Sequence, residues 1–410
     1  MKLHLIPLLI ALALNLAIDI FAYRRLHRSK VWPRWAAPSY GCVSVVLYAA
    51  LGVAIVLAQQ TADEPIRLAM WLLLVFYGIQ APKFISLLIY SLSWLKWLRR
   101  GAKRFVRCAA LAIFALLIFH GVWGTFVTPF TLEVKRVTIE SPRLPDAFDG
   151  YRIVQFSDSH VGTYGTDTAF VAEYVDSINA QRADMICFTG DLVNRHSKEV
   201  EQFVSVLSRL HAPDGVISVL GNHDYKAYYP WASEQEWRAD SLNLLAKQRQ
   251  MGWTVCDDST FTRHRGADSI VVVGLHSFRP PHWKIPAYLR EVYPQIANPH
   301  IYKIVLQHVP YVWDNYTDAA HIDLMLSGHT HAMQLMFSIF GVEISPARLI
   351  SPYWRGEYHN GDESLYVNTG VGEVGVPMRI GVKPEITVIT LKKKGNDIQV
   401  VPVNYRGKAR

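Results

Sequence analysis

Four apolar stretches in the first third of the chain, Leu3–Tyr23, Tyr40–Ala58, Leu68–Leu95 and Phe105–Val127, set the strongest limit on how it can fold. Each is near or above the ~20 residues a helix needs to cross ~30 Å of hydrocarbon. Lipid offers no partner to an open backbone N–H or C=O, so the stretches predict four spanning helices. Leu3–Tyr23 is long, lacks a small-residue cleavage site before Arg24 and precedes three further spans, which reads as an anchor rather than a signal peptide. Gln80, Pro82 and Lys83 interrupt the third stretch, but two halves would each be too short to span, and one kinked helix is expected. Lys83 and Asp19 then fall at similar depth, where an ion pair compensates both charges; hydration of Asp19 near Arg24 is the alternative.

Charge orients these helices. Arg24, Arg25, Arg28, Lys30 and Arg34 lie between the first two stretches and Lys96, Arg99, Arg100, Lys103 and Arg104 between the last two, whereas the middle loop sets Arg67 against Asp63 and Glu64. The positive-inside rule makes the two basic loops cytoplasmic, with both termini and everything after Val127 on the periplasmic or outer side. The net charge of +8 does not mark a nucleic-acid binder. Residues 1–130 carry 14 Lys and Arg against 3 Asp and Glu, and the remainder 28 against 31, so the excess is a topology signal. The expected division is a transmembrane region over 1–130 and a second domain over 131–410. The 4 cysteines imply no disulfide framework: Cys42 and Cys108 fall within spans, Cys187 in a strand, and Cys256 stands alone.

In the second part, short apolar runs end repeatedly in polar residues of one chemical kind. Ile153–Phe156 leads into Asp158 and His160, and Met185–Thr189 into Gly190-Asp191. Val216–Leu220 leads into Gly221-Asn222-His223-Asp224, Ile304–Leu306 into Gln307-His308, and Leu324–Leu326 into Ser327-Gly328-His329-Thr330-His331. Gly190, Gly221 and Gly328 fall where the backbone turns and comes close to a ligand. In open α/β sheets, sites form outside the carboxyl ends of strands, so these endings converge on one crevice. Helical spacing at Val171, Val175 and Ile178, and again from Val200 to Leu210, alternates with the strands and predicts βαβ units. A polar helix up to Met251 and strands near Val255 and Val271–Gly274 follow.

Taken in order, Asp-x-His, Gly-Asp, Gly-Asn-His-Asp, His and Gly-His-Thr-His resemble the motifs of the calcineurin-like metallophosphoesterases over Tyr151–Leu391. Asn368-Thr369-Gly370, Pro377-Met378-Arg379 and Pro384-Glu385-Ile386 look like the membrane-attached bacterial branch. One departure is local: Ala332 and Met333 stand where that branch usually has two glycines before Gln334. The resemblance implies an α/β fold of two packed mixed β-sheets flanked by helices, αββα, behind the four-helix membrane region. It also implies two divalent metal ions, with Asp158, His160 and His331 on one, Asn222, His308 and His329 on the other, and Asp191 bridging. Carboxylate, amide and imidazole ligands suit Mn, Fe or Zn, and a cation pair lowers the pKa of a bridging water and clamps an in-line displacement at phosphorus. His223 is the general-acid candidate. Asp224 either orients it or caps a turn. Arg279 and Arg379 read as phosphate contacts or, more simply, surface ion pairs; His120, His196, His211, His264, His276, His282 and His321 read as surface or packing residues.

The implied activity is hydrolysis of a phosphomonoester or phosphodiester, lipid-linked substrates included, by an enzyme of the bacterial inner membrane with its catalytic part outside. The partners expected are the phosphate-ester substrate and the bilayer, with no nucleic acid. Two alternatives stay open. One is a pyrophosphatase of the UDP-diacylglucosamine type, whose nucleotide substrate would lie on the cytoplasmic side, against the charge-derived topology. The other is a non-catalytic sensor or scaffold, which has no need of a general acid.

Overall fold

The computed structural model describes residues 5–28, 32–277 and 281–394, the side chains of 5–11, 282 and 339 excepted. The apolar stretches form α1 (Leu5–His27), α2 (Ala36–Leu57), α3 (Asp63–Ser91, extended by a 3-10 turn to Trp94) and α4 (Arg100–Phe126). Among the described residues three segments are long and apolar enough to cross a membrane: Ala36–Leu57, Asp63–Trp94 and Arg100–Phe130. That corrects the expected four. The first stretch is helical, but its initial side chains lie outside the described residues, and 12–27 alone falls short of the ~20 residues a span needs. Pro82 does not divide the third stretch: α3 runs through it.

Lys83 meets Asp19 as its depth predicts, Nζ lying 2.5 Å from Oδ1. Asp19 is buried, and Tyr40 Oη–H (2.6 Å) and Gln80 Nε2–H (3.2 Å) also donate to its carboxylate. Four groups from three helices thus share one polar knot, and removing either charge leaves the other uncompensated. Lys83→Met and Asp19→Leu should each lower thermal stability in detergent. The double variant should lose less than the sum, with a coupling of about 1–2 kcal/mol; strict additivity would mean that the pair is not a stabilising contact.

After α4 the chain builds two six-stranded mixed sheets. The first is ordered β1 (Glu133–Ser141), β14 (Glu385–Lys393), β2 (Arg152–Phe156), β3 (Met185–Phe188), β4 (Val216–Ser218), β5 (Trp253–Val255). The second is ordered β12 (Gly356–Asn360), β13 (Glu363–Val367), β9 (Leu324–Ser327), β8 (Tyr302–Leu306), β7 (Asp268–Gly274), β6 (Ser259–Arg265). A separate hairpin pairs β10 (Phe337–Ile339) with β11 (Val342–Ile344). The central strands are parallel and in step: Phe156 is level with Phe188 and Phe188 with Ser218, while Leu306 is level with Leu326 and Ser327 with Val367. Their polar endings therefore leave both sheets along one edge.

Period-two alternation explains the layers. Ile153, Met185, Cys187 and Ile217 from one sheet pack between the sheets against Ile270, Val272, Ile304, Leu306 and Leu326 from the other. Their neighbours Val154, Phe156, Ile186 and Phe188 point outward to α5 (Ala169–Ala180), which buries Phe170, Val171, Tyr174, Val175 and Ile178. On the far face Val271, Val273, Val305 and Met325 meet Ile285, Leu289, Trp313 and Tyr316. With both faces covered, parallel strands read as nearly continuous apolar runs. This is the αββα arrangement the motifs imply. The helix expected over Val200–Leu210 is instead a 3-10 segment, Ser197–Phe203, with one α-helical turn, α6 (Val204–Leu207). Asp240, on α7 (Glu234–Gln250), accepts from Ser197 N–H and Oγ–H and pins its start.

Among the described residues, hydrogen bonds tie the αββα body to the helices at two places. Arg379 N–H donates to Gly124 O in the last turn of α4 (2.7 Å), and a Cβ at Gly124 would overlap Ile380 and the Arg379 carbonyl. Arg195 donates to Thr61 O just ahead of α3 (3.2 Å) and to Asp63, its first residue (3.0 Å), where His196 also lies 3.1 Å from Asp63. The α2–α3 loop and the end of α4 therefore lie on the same side of the helices.

Candidate metal centre

The strand endings converge on two groups of metal-ligating side chains. Asp158, His160 and His331 form one, and Asp191, His308 and His329 the other, with ligating atoms inside each group within 4.8 Å of one another. Asp191 joins them: Oδ2 lies 3.1 Å from His308 Nε2 and 3.6 Å from His160 Nε2, while Oδ1 accepts from His223 N–H (2.7 Å). Asn222 Oδ1 is 3.1 Å from His308 Nε2 and its Nδ2 donates to Tyr228 Oη (2.8 Å), which places it beside the second group. All seven residues expected as ligands are thus gathered at one edge of the sheets. A donor set of carboxylate, amide and imidazole, mostly buried, fits a pair of borderline divalent cations.

The backbone carries the cost of this convergence. Asp158, His160, Asp191, His329 and His331 all take positive φ, from 42° to 73°. Such conformations persist where the surroundings over-determine them. Close approach explains two of the glycines: a Cβ at Gly221 would overlap Asp191, and one at Gly328 would overlap Ser157 and the Asp158 carboxylate. Ala332 and Met333 adopt φ of 48° and 50°, the left-handed region a glycine enters freely, so the departure at these positions keeps the loop's shape at a cost in strain.

Hydrogen bonds set which nitrogen each imidazole presents. His308 Nδ1–H donates to Thr189 O (2.7 Å), turning Nε2 toward Asp191 and Asn222. Asn194 Nδ2 donates to Thr163 Oγ1 (2.9 Å), and its other terminal atom faces His160 Nδ1 at 3.2 Å. With the amide reversed, Nδ2–H donates to His160 Nδ1 and to His160 O (3.1 Å) and Oδ1 accepts from Thr163; in either orientation Asn194 holds the His160 ring from its Nδ1 side, with Nε2 facing Asp191. Burial, helped by neighbouring His223, holds His160 well below its ordinary pKa, and burial with His308 brings His329 down to about 4. His308 goes the other way. Burial disfavours its charge, but the Asp191 and Asp158 carboxylates outweigh it and raise His308 to about 9. A cation entering there must displace that proton.

His223 stands at the mouth, half-buried, its ring stacked on Tyr228 with centroids 3.6 Å apart. Its Nδ1–H donates to Asn194 O (2.7 Å), which leaves Nε2 free. Asp224 is engaged elsewhere. Its carboxylate accepts backbone N–H from Gly221 (2.8 Å), Asp191 (2.9 Å), Leu192 (2.9 Å) and Val193 (3.2 Å), clamping the Asp191 turn to the Asn222 turn. Burial and the Asp191 charge push it up to about 7 against the pull of those donors. The turn-capping alternative thus describes Asp224, and Asn194 O orients His223.

Arg379 is neither a surface ion pair nor exposed to a substrate. It is fully buried, its guanidinium donating to the carbonyls of Thr369, Gly370 and Gly372 with Nη2 3.4 Å from His331 Nδ1, so it braces the loop behind that histidine. Arg279 lies outside the described residues. His196, read from sequence as a surface or packing residue, joins Asp63 and Glu199 in a third group that links the α2–α3 loop to the segment carrying Asn194. Asn194 is the residue that motif reading missed; the available signal was an amide three positions after the shared carboxylate.

The calcineurin-like phosphoesterase family model matches residues 151–333. The uncharacterized metallophosphoesterase YkuE of Bacillus subtilis is 30% identical over 286 residues, covering 69% of this chain and 94% of the relative. A transmembrane protein with metallophosphoesterase domain from Danio rerio is 28% identical over 302 residues, covering 69% and 62%. UDP-2,3-diacylglucosamine pyrophosphatase LpxG of Chlamydia trachomatis is 28% identical over 315 residues, covering 65% and 92%. With its fold, its ordered motifs and these relatives in agreement, the chain belongs to the calcineurin-like metallophosphoesterases, a family of hydrolases.

Proposed function

We propose that the chain is a membrane-anchored, dimetal phosphohydrolase acting on a phosphomonoester or phosphodiester carried at the bilayer surface. The observation that carries this reading is Asp191 Oδ2 facing His160 of one ligand group and His308 of the other. Asp158, His160 and His331 would hold one divalent cation, Asn222, His308 and His329 the second, and Asp191 both. Bound there, Mn, Fe or Zn ions would supply activation of water and charge neutralisation at phosphorus. The chain's own residues do the rest. Thr189 O fixes the His308 tautomer, Asn194 holds the His160 ring from its Nδ1 side, and the Asp224 clamp holds the Asp191 and Asn222 turns in register. His223, anchored through Nδ1, carries on Nε2 the proton that the departing alkoxide takes.

The helices anchor this site, with residues 131–410 on the periplasmic side. Support comes from the basic loops at one end and from body contacts at Thr61, Asp63 and Gly124 at the other. The name of the Chlamydia relative supports lipid-linked substrates as a class, although nucleotide-diacylsugar cleavage itself would require the opposite orientation. The test is a panel of lipid and soluble phosphate esters given to detergent-purified full-length protein with defined metals. Hydrolysis of at least one membrane-borne ester with Mn, Fe or Zn is expected. Failure on every ester with every metal would leave the sensor or scaffold reading in its place.

A further inference from the structure

Immediately after the His329–His331 loop, the chain leaves the αββα body and exposes a run of large apolar side chains. Phe340 at the β10–β11 turn is 102% exposed, Leu349 90%, Ile350 72% and Val342 55%. Residues 337–344 form a two-stranded sheet of their own. A lone hairpin is marginal in water, and soluble surfaces rarely concentrate apolar residues this way. Exposed Arg348 sits among them, a long cation suited to anionic headgroups.

The root of the hairpin shows what covers it. Met336 N–H donates to Ile380 O (2.8 Å) and Ile380 N–H to Gln334 O (2.8 Å), while the adjacent Arg379 N–H is bonded to Gly124 O in the last turn of α4. The hairpin is therefore tied to the segment that rests on the outgoing end of a span. On its other side Ser345 Oγ–H donates to Ala332 O (2.7 Å), one residue after His331, and Ala332 packs with Ala347, Trp354 and Val382.

From this placement we propose that the segment 337–350 dips its apolar tip into the headgroup–acyl boundary of the membrane that α4 crosses, holding the metal-ligand loop against the lipid surface so that the site receives phosphate esters from the bilayer. This rests on the phosphohydrolase reading for its catalytic consequence, but not for its location. Location is measured on full-length protein in nanodiscs of phosphatidylethanolamine and phosphatidylglycerol, with Cys42 and Cys108 replaced by Ala and a nitroxide at Phe340→Cys or Leu349→Cys. Both positions should favour oxygen over a water-soluble nickel chelate as relaxant, whereas Ala267→Cys, in the exposed β6–β7 turn at the strand ends opposite the site, should show the reverse; labels at 340 and 349 that match position 267 would overturn the proposal. Catalysis gives the second arm. Phe340→Asp with Leu349→Asp should raise KM for a vesicle-embedded phosphate ester about tenfold or more, leaving kcat/KM on soluble nitrophenyl phosphate unchanged. Equal losses on both substrates would overturn the catalytic consequence. A wild-type protein that hydrolyses neither ester would sink the phosphohydrolase reading while the nitroxide result stands.

Discussion

His223→Gln should lose ~10²–10⁴-fold in rate on an alkyl phosphate ester and far less on the nitrophenyl ester of the same class. The difference follows from what the leaving group needs: an alkoxide must be protonated as it departs, whereas nitrophenolate needs little help. The geometry makes this variant informative. It is the backbone N–H of His223, not its ring, that donates to Asp191 Oδ1, so the substitution keeps the contact that shapes the metal site. What it removes is an imidazole positioned by Asn194 O and stacked on Tyr228. If the ring merely supported the Asn222 turn, both esters would slow equally and bound metal would fall. Kinetics on the two esters, with metal occupancy taken on the same preparation, separate these cases; equal losses at full occupancy would remove His223 from the role of acid.

Some features were legible in the sequence because local pattern and tertiary position coincide. The strands β2, β3, β4, β8 and β9 end within a few residues of the apolar runs that mark them, and the polar residues that follow have nowhere to go but one sheet edge. The depth of Asp19 and Lys83 followed from counting along helices. Other features depend on burial, which sequence does not display for an isolated polar residue. Arg379 sits in a loop among Pro and Gly, reads as a surface cation, and is in fact enclosed by carbonyls. Glu385 similarly belongs to a strand, yet its carboxylate is fully buried and gathers Lys135 (2.6 Å), Tyr366 (2.7 Å), Thr369 (2.9 Å) and Thr387 (2.9 Å). Backbone strain was also misplaced. Glycines advertise it, but here the ligand residues themselves carry the left-handed conformations, an arrangement that becomes visible only once the two sheets fix both ends of each turn. The exposed apolar segment 337–350 had no motif to announce it.

Asp191→Ala tests whether one carboxylate serves two ligand groups. Of the seven gathered side chains it alone is expected on both metals, with Oδ2 placed toward His308 on one side and His160 on the other. Removing it should strip a donor from both positions at once, while His160→Ala takes one donor from one group. Charge stabilisation by metal is worth several kcal/mol at the transition state, so turnover of Asp191→Ala should fall by about 10³-fold or more. The measurement is bound metal per chain by elemental analysis, taken beside turnover for wild type, His160→Ala and Asp191→Ala purified identically. Two metals are expected in the wild type, selective weakening of one in His160→Ala, and loss of both in Asp191→Ala; two tightly held metals in the Asp191 variant would mean that this carboxylate does not bridge.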